Sequence, residues 1–182
     1  IAALYLAVSA FLTLPLTVYE DWWRETAYGR TSQLLGDFLG QLALSTGLSV
    51  LLVSLFLLVV FGLIRRTGRV WWVWSGGFVA GFIALLLLIA PPLIEPLFNE
   101  FKPIPEGEVR TAVLELAAEA GVPAERVFMY DGSRQSNNFT ANVSGVGSSA
   151  RIAISDVAMG EASLDEVRAV TGHEIGHYVL GH

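Results

Sequence analysis

All three histidines of this 182-residue chain fall within its last ten residues. Two of them frame the pattern His173-Glu174-Ile175-Gly176-His177. Four residues of α-helix return a side chain to the same face one turn on, so His173 and His177 can bind one Zn²⁺ at about 2.0–2.1 Å. Glu174 sits about 100° round the helix, beside such an ion and not on it. A zinc ion lowers the pKa of a bound water toward about 7, and a carboxylate at that place can take the water's proton and hand it to a leaving amine. The chemistry on offer is peptide hydrolysis, with Glu174 catalytic and His173 and His177 holding the metal. The pattern gains weight from its context, because it lies on a helix with its own start signal.

His182 lies nine residues beyond His173. On a continuous helix that is about 900°, the opposite face, so a third ligand there would need a break at Gly181. We therefore read His182 as a helix-end residue. With Cys 0, the chain has no thiolate ligand, disulfide or cysteine nucleophile. The serines near Arg134 have no histidine outside the zinc pattern to activate them. Gly145-Val146-Gly147-Ser148-Ser149-Ala150 imitates a phosphate-binding loop, but a strand follows it, so a hairpin loop is expected. Asn138-Phe139-Thr140 and Asn142-Val143-Ser144 match glycosylation sequons and are discounted for their strand context.

The zinc helix should begin at Ser163. Ser163-Leu164-Asp165-Glu166 is a capping box, in which the serine oxygen takes an orphan N–H and the glutamate reaches back. Upstream, Val109, Ala112, Val113, Leu116, Ala117 and Ala120 recur at helical spacing, predicting a helix that starts near Pro105 and stops at Gly121 and Pro123. Residues 126–130, 139–144 and 151–155 read as short strands, with a turn at Asp131-Gly132-Ser133.

The rest of the chain is different. Residues 1–19, 38–64 and 70–94 carry no charge. A hydrocarbon core about 30 Å thick needs roughly 20 apolar residues of helix, which the second and third stretches exceed. The first is borderline, contains Pro15 and lacks the flanks of a signal peptide. Trp22, Trp23, Trp71, Trp72 and Trp74 sit at the ends of these stretches, where an amphipathic ring spans oil and water. Arg65-Arg66-Thr67-Gly68-Arg69 would join the second and third as a tight hairpin, and Pro91, Pro92 and Pro96 would break the third as it leaves the membrane.

Composition agrees with this division. The chain is 53% hydrophobic and 15% charged, with mean hydropathy +0.56, which excludes a disordered chain and an ordinary soluble enzyme. Residues 1–94 carry a net charge of +1 and residues 95–182 a net −7. Such a balance is wrong for a nucleic-acid partner. We expect two regions: 1–94, membrane-spanning, and 95–182, the N-terminal part of a zinc metalloprotease domain.

Beyond the five-residue pattern, the chain resembles the type I CAAX prenyl protease family, integral-membrane zinc metalloproteases. The resemblance runs through the paired spans and Glu95-Pro96-Leu97-Phe98-Asn99-Glu100-Phe101-Lys102-Pro103-Ile104-Pro105-Glu106-Gly107. It continues through residues 127–133, Arg151-Ile152-Ala153-Ile154-Ser155-Asp156, and the terminal stretch from His173 to His182. It implies several membrane helices enclosing a chamber, with a zincin-like domain at its mouth. It also implies a third ligand, a glutamate, downstream of the two histidines. We expect the sequence to be a fragment whose third ligand lies past residue 182. Members carry an Asn-Ala-aromatic run on the strand that lines the substrate; here the stretch is Thr140-Ala141-Asn142-Val143, with the asparagine displaced and the aromatic absent. Thr140, Ala141 and Asn142 are the substrate-binding candidates by this carry-over.

The fold expected is thus a multi-span α-helical membrane protein with a zincin-like α+β catalytic domain, mostly helical with a small antiparallel sheet. The function expected is a membrane-embedded zinc metalloendopeptidase acting on membrane-associated or lipid-modified peptides, with one Zn²⁺ as cofactor and the bilayer as partner. Alternatives are a quality-control protease of the related bacterial branch, a protease whose zinc pattern lies inside a span, and a non-catalytic zinc-binding membrane scaffold. Burying Asp165, Glu166 and Arg168 in lipid counts against the intramembrane version. Arg65, Arg66 and Arg69 on one side against Arg24, Arg30, Lys102 and Arg110 on the other leave orientation undecided by charge. The family resemblance implies a cytoplasmic catalytic domain on a multi-pass protein of the cell membrane, or of the inner membrane if bacterial.

Overall fold

Large apolar side chains stand exposed along the first half of the chain, whereas isoleucine, valine and alanine form a buried core in the second half. The computed structural model describes residues 1–145, 150–160 and 162–180. It divides into two units, Ile1–Tyr28 with Gln33–Leu86, and Gly29–Ser32 with Leu87–His182.

In the first unit, α1 (Ala2–Thr17) runs on through a π-helical segment, Val18–Trp23, into α2 (Arg24–Ala27). It packs along α3 (Leu35–Thr67). The 33 residues of α3 span about 50 Å, well over a hydrocarbon core. Gly68 then takes φ 52°, the left-handed region that glycine enters without a Cβ penalty, and the chain turns into α4 (Trp71–Ile89). Phe56 of α3 meets both Phe78 and Phe82 of α4, at 5.6 and 5.2 Å between ring centres, so the two helices fold back on each other. None of the residues of α1 or α3 is buried, and α4 buries only Ser75. Helices apolar all round and covered by nothing are built for a nonpolar solvent.

The regular α-helix ends at Ile89, just ahead of Pro91 and Pro92 as expected, but the chain does not leave its helical path there. The helical path continues as a π-helical turn at Ala90–Ile94 and a 3₁₀ turn at Glu95–Leu97. Pro91 and Pro96 fall at the starts of these segments, where the lost N–H groups accompany the change from α-helical to π and 3₁₀ geometry.

In the second unit, a four-stranded sheet has the order β1-β2-β4-β3, from β1 (Phe101–Pro103), β2 (Val127–Tyr130), β3 (Ala141–Ser144) and β4 (Arg151–Ser155). The outer pairs are antiparallel, but β2 and β4 run parallel. The antiparallel sheet expected from the sequence is therefore a mixed one. The chain leaves β2, passes the position beside it, and returns from the far edge into β4. Ile152, Ala153, Ile154 and Ser155 are all fully buried, as befits a strand flanked and covered on both faces. β1 was not expected; Pro103 and a polar Lys102 hide a three-residue edge strand, a place where proline is tolerated.

Two helices form the core with the sheet. α5 (Glu108–Glu119) buries Ala112, Val113 and Ala117; α6 (Leu164–Leu180) buries Val167, Thr171 and Ile175. α5 starts three residues later than Pro105 suggested, and ends as expected. Gly121, at φ 72°, lets the Val122 N–H donate to the Ala117 carbonyl at 2.8 Å and the Gly121 N–H to the Ala118 carbonyl at 3.1 Å, closing the helix with two otherwise orphaned acceptors.

Candidate metal centre

The face that α6 buries decides which face it shows. Val167, Thr171 and Ile175 repeat every fourth residue and lie in the core. His173 is two residues from Thr171 and His177 two from Ile175, about 200° round, so both imidazoles stand on the exposed side. Glu174 falls between the two faces and is half-buried. The helix is held at its start by the expected capping box. The Ser163 N–H and hydroxyl both donate to Glu166 Oε2, at 2.7 and 2.8 Å, and the Glu166 N–H donates to Ser163 Oγ at 3.3 Å. The backbone N–H of Ser163, then its hydroxyl, hold the Glu166 carboxyl below the usual carboxylate range.

The two imidazoles are set edge to face, with ring centres 4.5 Å apart and their Nε2 atoms 3.0 Å apart. Two nitrogens at about 2.0–2.1 Å from one tetrahedral ion are about 3.3 Å apart. The pair is thus within a few tenths of an ångström of the separation a shared zinc ion demands. Among the described residues, no group of three His, Cys, Asp or Glu side chains converges, so the two imidazoles stand as a pair. His182 lies outside the described residues, as does the middle of the glycine-rich loop, residues 146–149.

β3 lies beside α6 and is the outer strand of the sheet. Its hydrogen-bonding phase follows from its start. The Ser155 N–H donates to the Thr140 carbonyl at 2.8 Å, and the Thr140 N–H donates to Ser155 Oγ at 3.2 Å. With Ala141 opposite Ile154 and Asn142 opposite Ala153, alternate residues of β3 point their backbone groups into β4. Thr140, Asn142 and Ser144 do so. Ala141 and Val143 turn theirs to the open edge. Of the candidates Thr140, Ala141 and Asn142, only Ala141 offers a backbone there. Val143 joins it, unmarked in the sequence because edge position and phase both depend on sheet order.

Other contacts seat the strand. The Tyr130 hydroxyl meets Thr140 Oγ1 at 2.6 Å. Arg151, on β4, donates to Glu95 and, at 3.3 Å, to Ser144 Oγ, and lies 4.5 Å over the Phe101 ring. Asp156 accepts the Ser133 N–H and hydroxyl at 2.7 and 2.6 Å, fixing the turn after β2. Gly132 in that turn is fully packed: a Cβ there would stand 2.6 Å from Ser155 Cβ and 3.0 Å from the Tyr130 ring.

Comparison with known proteins places the chain in a family. Residues 1–100 match the family described as the CAAX prenyl protease N-terminal region with five membrane helices, and residues 103–182 match peptidase family M48. The chain belongs to the CAAX prenyl protease family of M48 peptidases. Among curated members, it is 32% identical over 178 residues to an uncharacterized metalloprotease of Bacillus subtilis, covering 96% of this chain and 41% of that protein. It is 31% identical over 181 residues to CAAX prenyl protease 1 of Saccharomyces cerevisiae, covering 97% of this chain and 39% of that protein. A crystal structure of Ste24p from S. mikatae superposes with a TM-score of 0.89 at 28% identity, over 98% of this chain and 42% of that one. The chain thus spans about two fifths of the length of these M48 relatives. Family membership makes the first 100 residues part of a membrane-helix region, and the metallopeptidase family implies a metal cofactor.

Proposed function

We propose that the protein is a multi-pass, membrane-embedded zinc metalloendopeptidase, with His173 and His177 as two zinc ligands and Glu174 as general base. The single observation that carries this reading is the pair of imidazole nitrogens, 3.0 Å apart on the exposed face of α6, next to the open edge of β3. A catalytic zinc takes three protein ligands, so a third comes from outside the described residues. A glutamate is the expected one. Zinc bound there supplies Lewis-acid activation of water and of the scissile carbonyl.

The chain's own residues do the rest. An extended peptide adds to the sheet by pairing with the backbone of Ala141 and Val143, which brings it alongside α6. Glu174 accepts the proton of the attacking water and passes it to the departing amine. A catalytic unit carried on the same chain as apolar helices favours substrates that are themselves membrane-associated or lipid-modified. The absence of an aromatic at Val143 leaves room for unmodified membrane proteins as substrates, the alternative suited to a bacterial quality-control protease. Gly29–Ser32, between the first and second apolar stretches, hydrogen-bonds to residues 135–137 of the α/β unit. The single crossing by α3 then puts Arg65, Arg66 and Arg69 on the opposite side, with the catalytic unit facing the cytoplasm as in the family.

The test uses the full-length protein in lipid vesicles with a quenched-fluorescent peptide, farnesylated or unmodified. Glu174→Gln is expected to lower kcat by about 10²–10⁴-fold while zinc content is retained. Equal rates for variant and wild type would overturn the mechanism. Preference between the two peptides decides between a prenyl-peptide enzyme and a general membrane protease.

A further inference from the structure

The segment Gly29–Ser32 is four residues of polar loop between apolar helices, yet it is built into the second unit. Thr31 is buried, and its hydroxyl donates to the Gln135 carbonyl at 2.7 Å. Asn137 makes three bonds to the same loop. Its backbone N–H donates to the Arg30 carbonyl at 2.8 Å, and its Nδ2 donates to the Gly29 carbonyl at 2.9 Å. Its Oδ1 accepts from the Ser32 hydroxyl at 3.1 Å. One asparagine side chain therefore closes a ring of contacts across more than a hundred residues of sequence.

The position of this clasp gives it a use. Asn137 stands three residues before Thr140, where β3 is phased against β4, and four before Ala141, the first open backbone of the edge. Residues 135–140 contain no regular helix or strand that would hold them. Their placement rests on the clasp together with the Gln135 and Ser136 N–H groups, which donate to the Gly132 carbonyl at 2.9 and 3.0 Å, on Phe139 against the core, and on the contacts of Thr140 with Tyr130 and Ser155. Loss of the clasp frees the lead into β3 without touching α6 or its histidines.

We infer that Asn137, locked by Gly29–Ser32, is a positioning residue that holds edge strand β3 in place for peptide binding. The inference rests on the proposed peptidase reading. A bound peptide pairs with a strand that must already be extended; disorder in its lead raises the cost of pairing and not the barrier to hydrolysis. The effect belongs in KM, with kcat and metal content unchanged.

The experiment uses the full-length protein in lipid nanodiscs, comparing wild type, Asn137→Ala, Ser32→Ala and the double variant. Hydrolysis of the quenched-fluorescent peptide, zinc content and hydrogen exchange of the backbone are all measured. Asn137→Ala is expected to raise KM about 3- to 10-fold with kcat within about twofold. Ser32→Ala is expected to act in the same direction and more weakly. The double variant should be no worse than Asn137→Ala alone, because Ser32 acts through that side chain. Exchange should quicken over residues 138–144 and stay slow over Arg151–Ser155. An unchanged KM with unchanged exchange would overturn the inference. So would a fall in kcat or zinc, or quickened exchange spreading through β4, each of which marks a general loss of structure. If wild type hydrolyses no peptide, the peptidase reading fails, and exchange confined to residues 138–144 still supports the positioning role.

Discussion

The two units use the same apolar residues to opposite ends. Ile154 in the α/β unit is 0% exposed, while Ile83 in α4 is 52% exposed and Leu58 in α3 is 70% exposed. In water, an exposed surface of that kind is an interaction liability. In lipid it is the normal exterior, and helices are suited to it because every backbone group is satisfied within the segment. The comparison teaches that exposure of an apolar side chain has no meaning until the solvent is named. It also shows how a chain this greasy can carry a unit folded for water. The polar unit keeps its grease inside and turns two histidines out.

The largest effects should come from exchanging the rules between units. Leu58→Arg places a charge on the outward face of α3, at about 2.5–3.5 kcal/mol against membrane insertion if that face meets lipid. A membrane-integration assay should show a marked loss of inserted protein. Ile154→Ala removes buried volume from the centre of the sheet and should cost about 2–5 kcal/mol, seen as a drop in thermal stability with insertion intact. If Leu58→Arg inserted normally and lowered only the thermal midpoint, the first unit would be packed for water.

A smaller effect tests the close packing of the turn after β2. Gly132→Ala must push against Ser155 and the Tyr130 ring, at about 1–3 kcal/mol. Because both neighbours also touch Thr140, the exchange protection of β3 should fall along with the thermal midpoint.

The smallest effect lies at the start of α6. Ser163→Ala should cost about 1 kcal/mol. Glu166 has a folded pKa below its unfolded one, so its contribution is complete above the unfolded value and is lost as pH falls through the folded value. Ser163→Ala should therefore stay below wild type in thermal midpoint at every pH, because the Oγ cap of the Glu166 N–H does not titrate, with a slightly wider gap at neutral pH than in acid from the lost hydroxyl contact to the carboxylate. Glu166→Gln, which keeps a capping geometry without titrating, should remove most of that pH dependence.

Local signals were legible wherever a few neighbouring residues settle the outcome. The capping box at Ser163, the glycine stop at Gly121 and the strand Arg151–Ser155 stand where the sequence placed them. Pro91 and Pro92 marked the end of regular α-helix at Ile89, but not the π and 3₁₀ turns that carry the helical path on to Leu97. β1 was illegible because three residues, one of them proline, carry no alternation worth reading. For the histidine pair, spacing alone put His173 and His177 on one face. Only the burial of Val167, Thr171 and Ile175 turned that face outward.

The sequence by itself determined the apolar stretches, the division of charge and the histidine spacing, all set by covalent order and helical period. Tertiary structure decided that β2 and β4 run parallel, that β3 is an edge and which of its residues face outward. It also decided that Gly29–Ser32 grips Asn137. Each of these joins residues whose separation in the chain carries no information about their distance in space, so they become visible only when the sheet has an order and the loop has a partner.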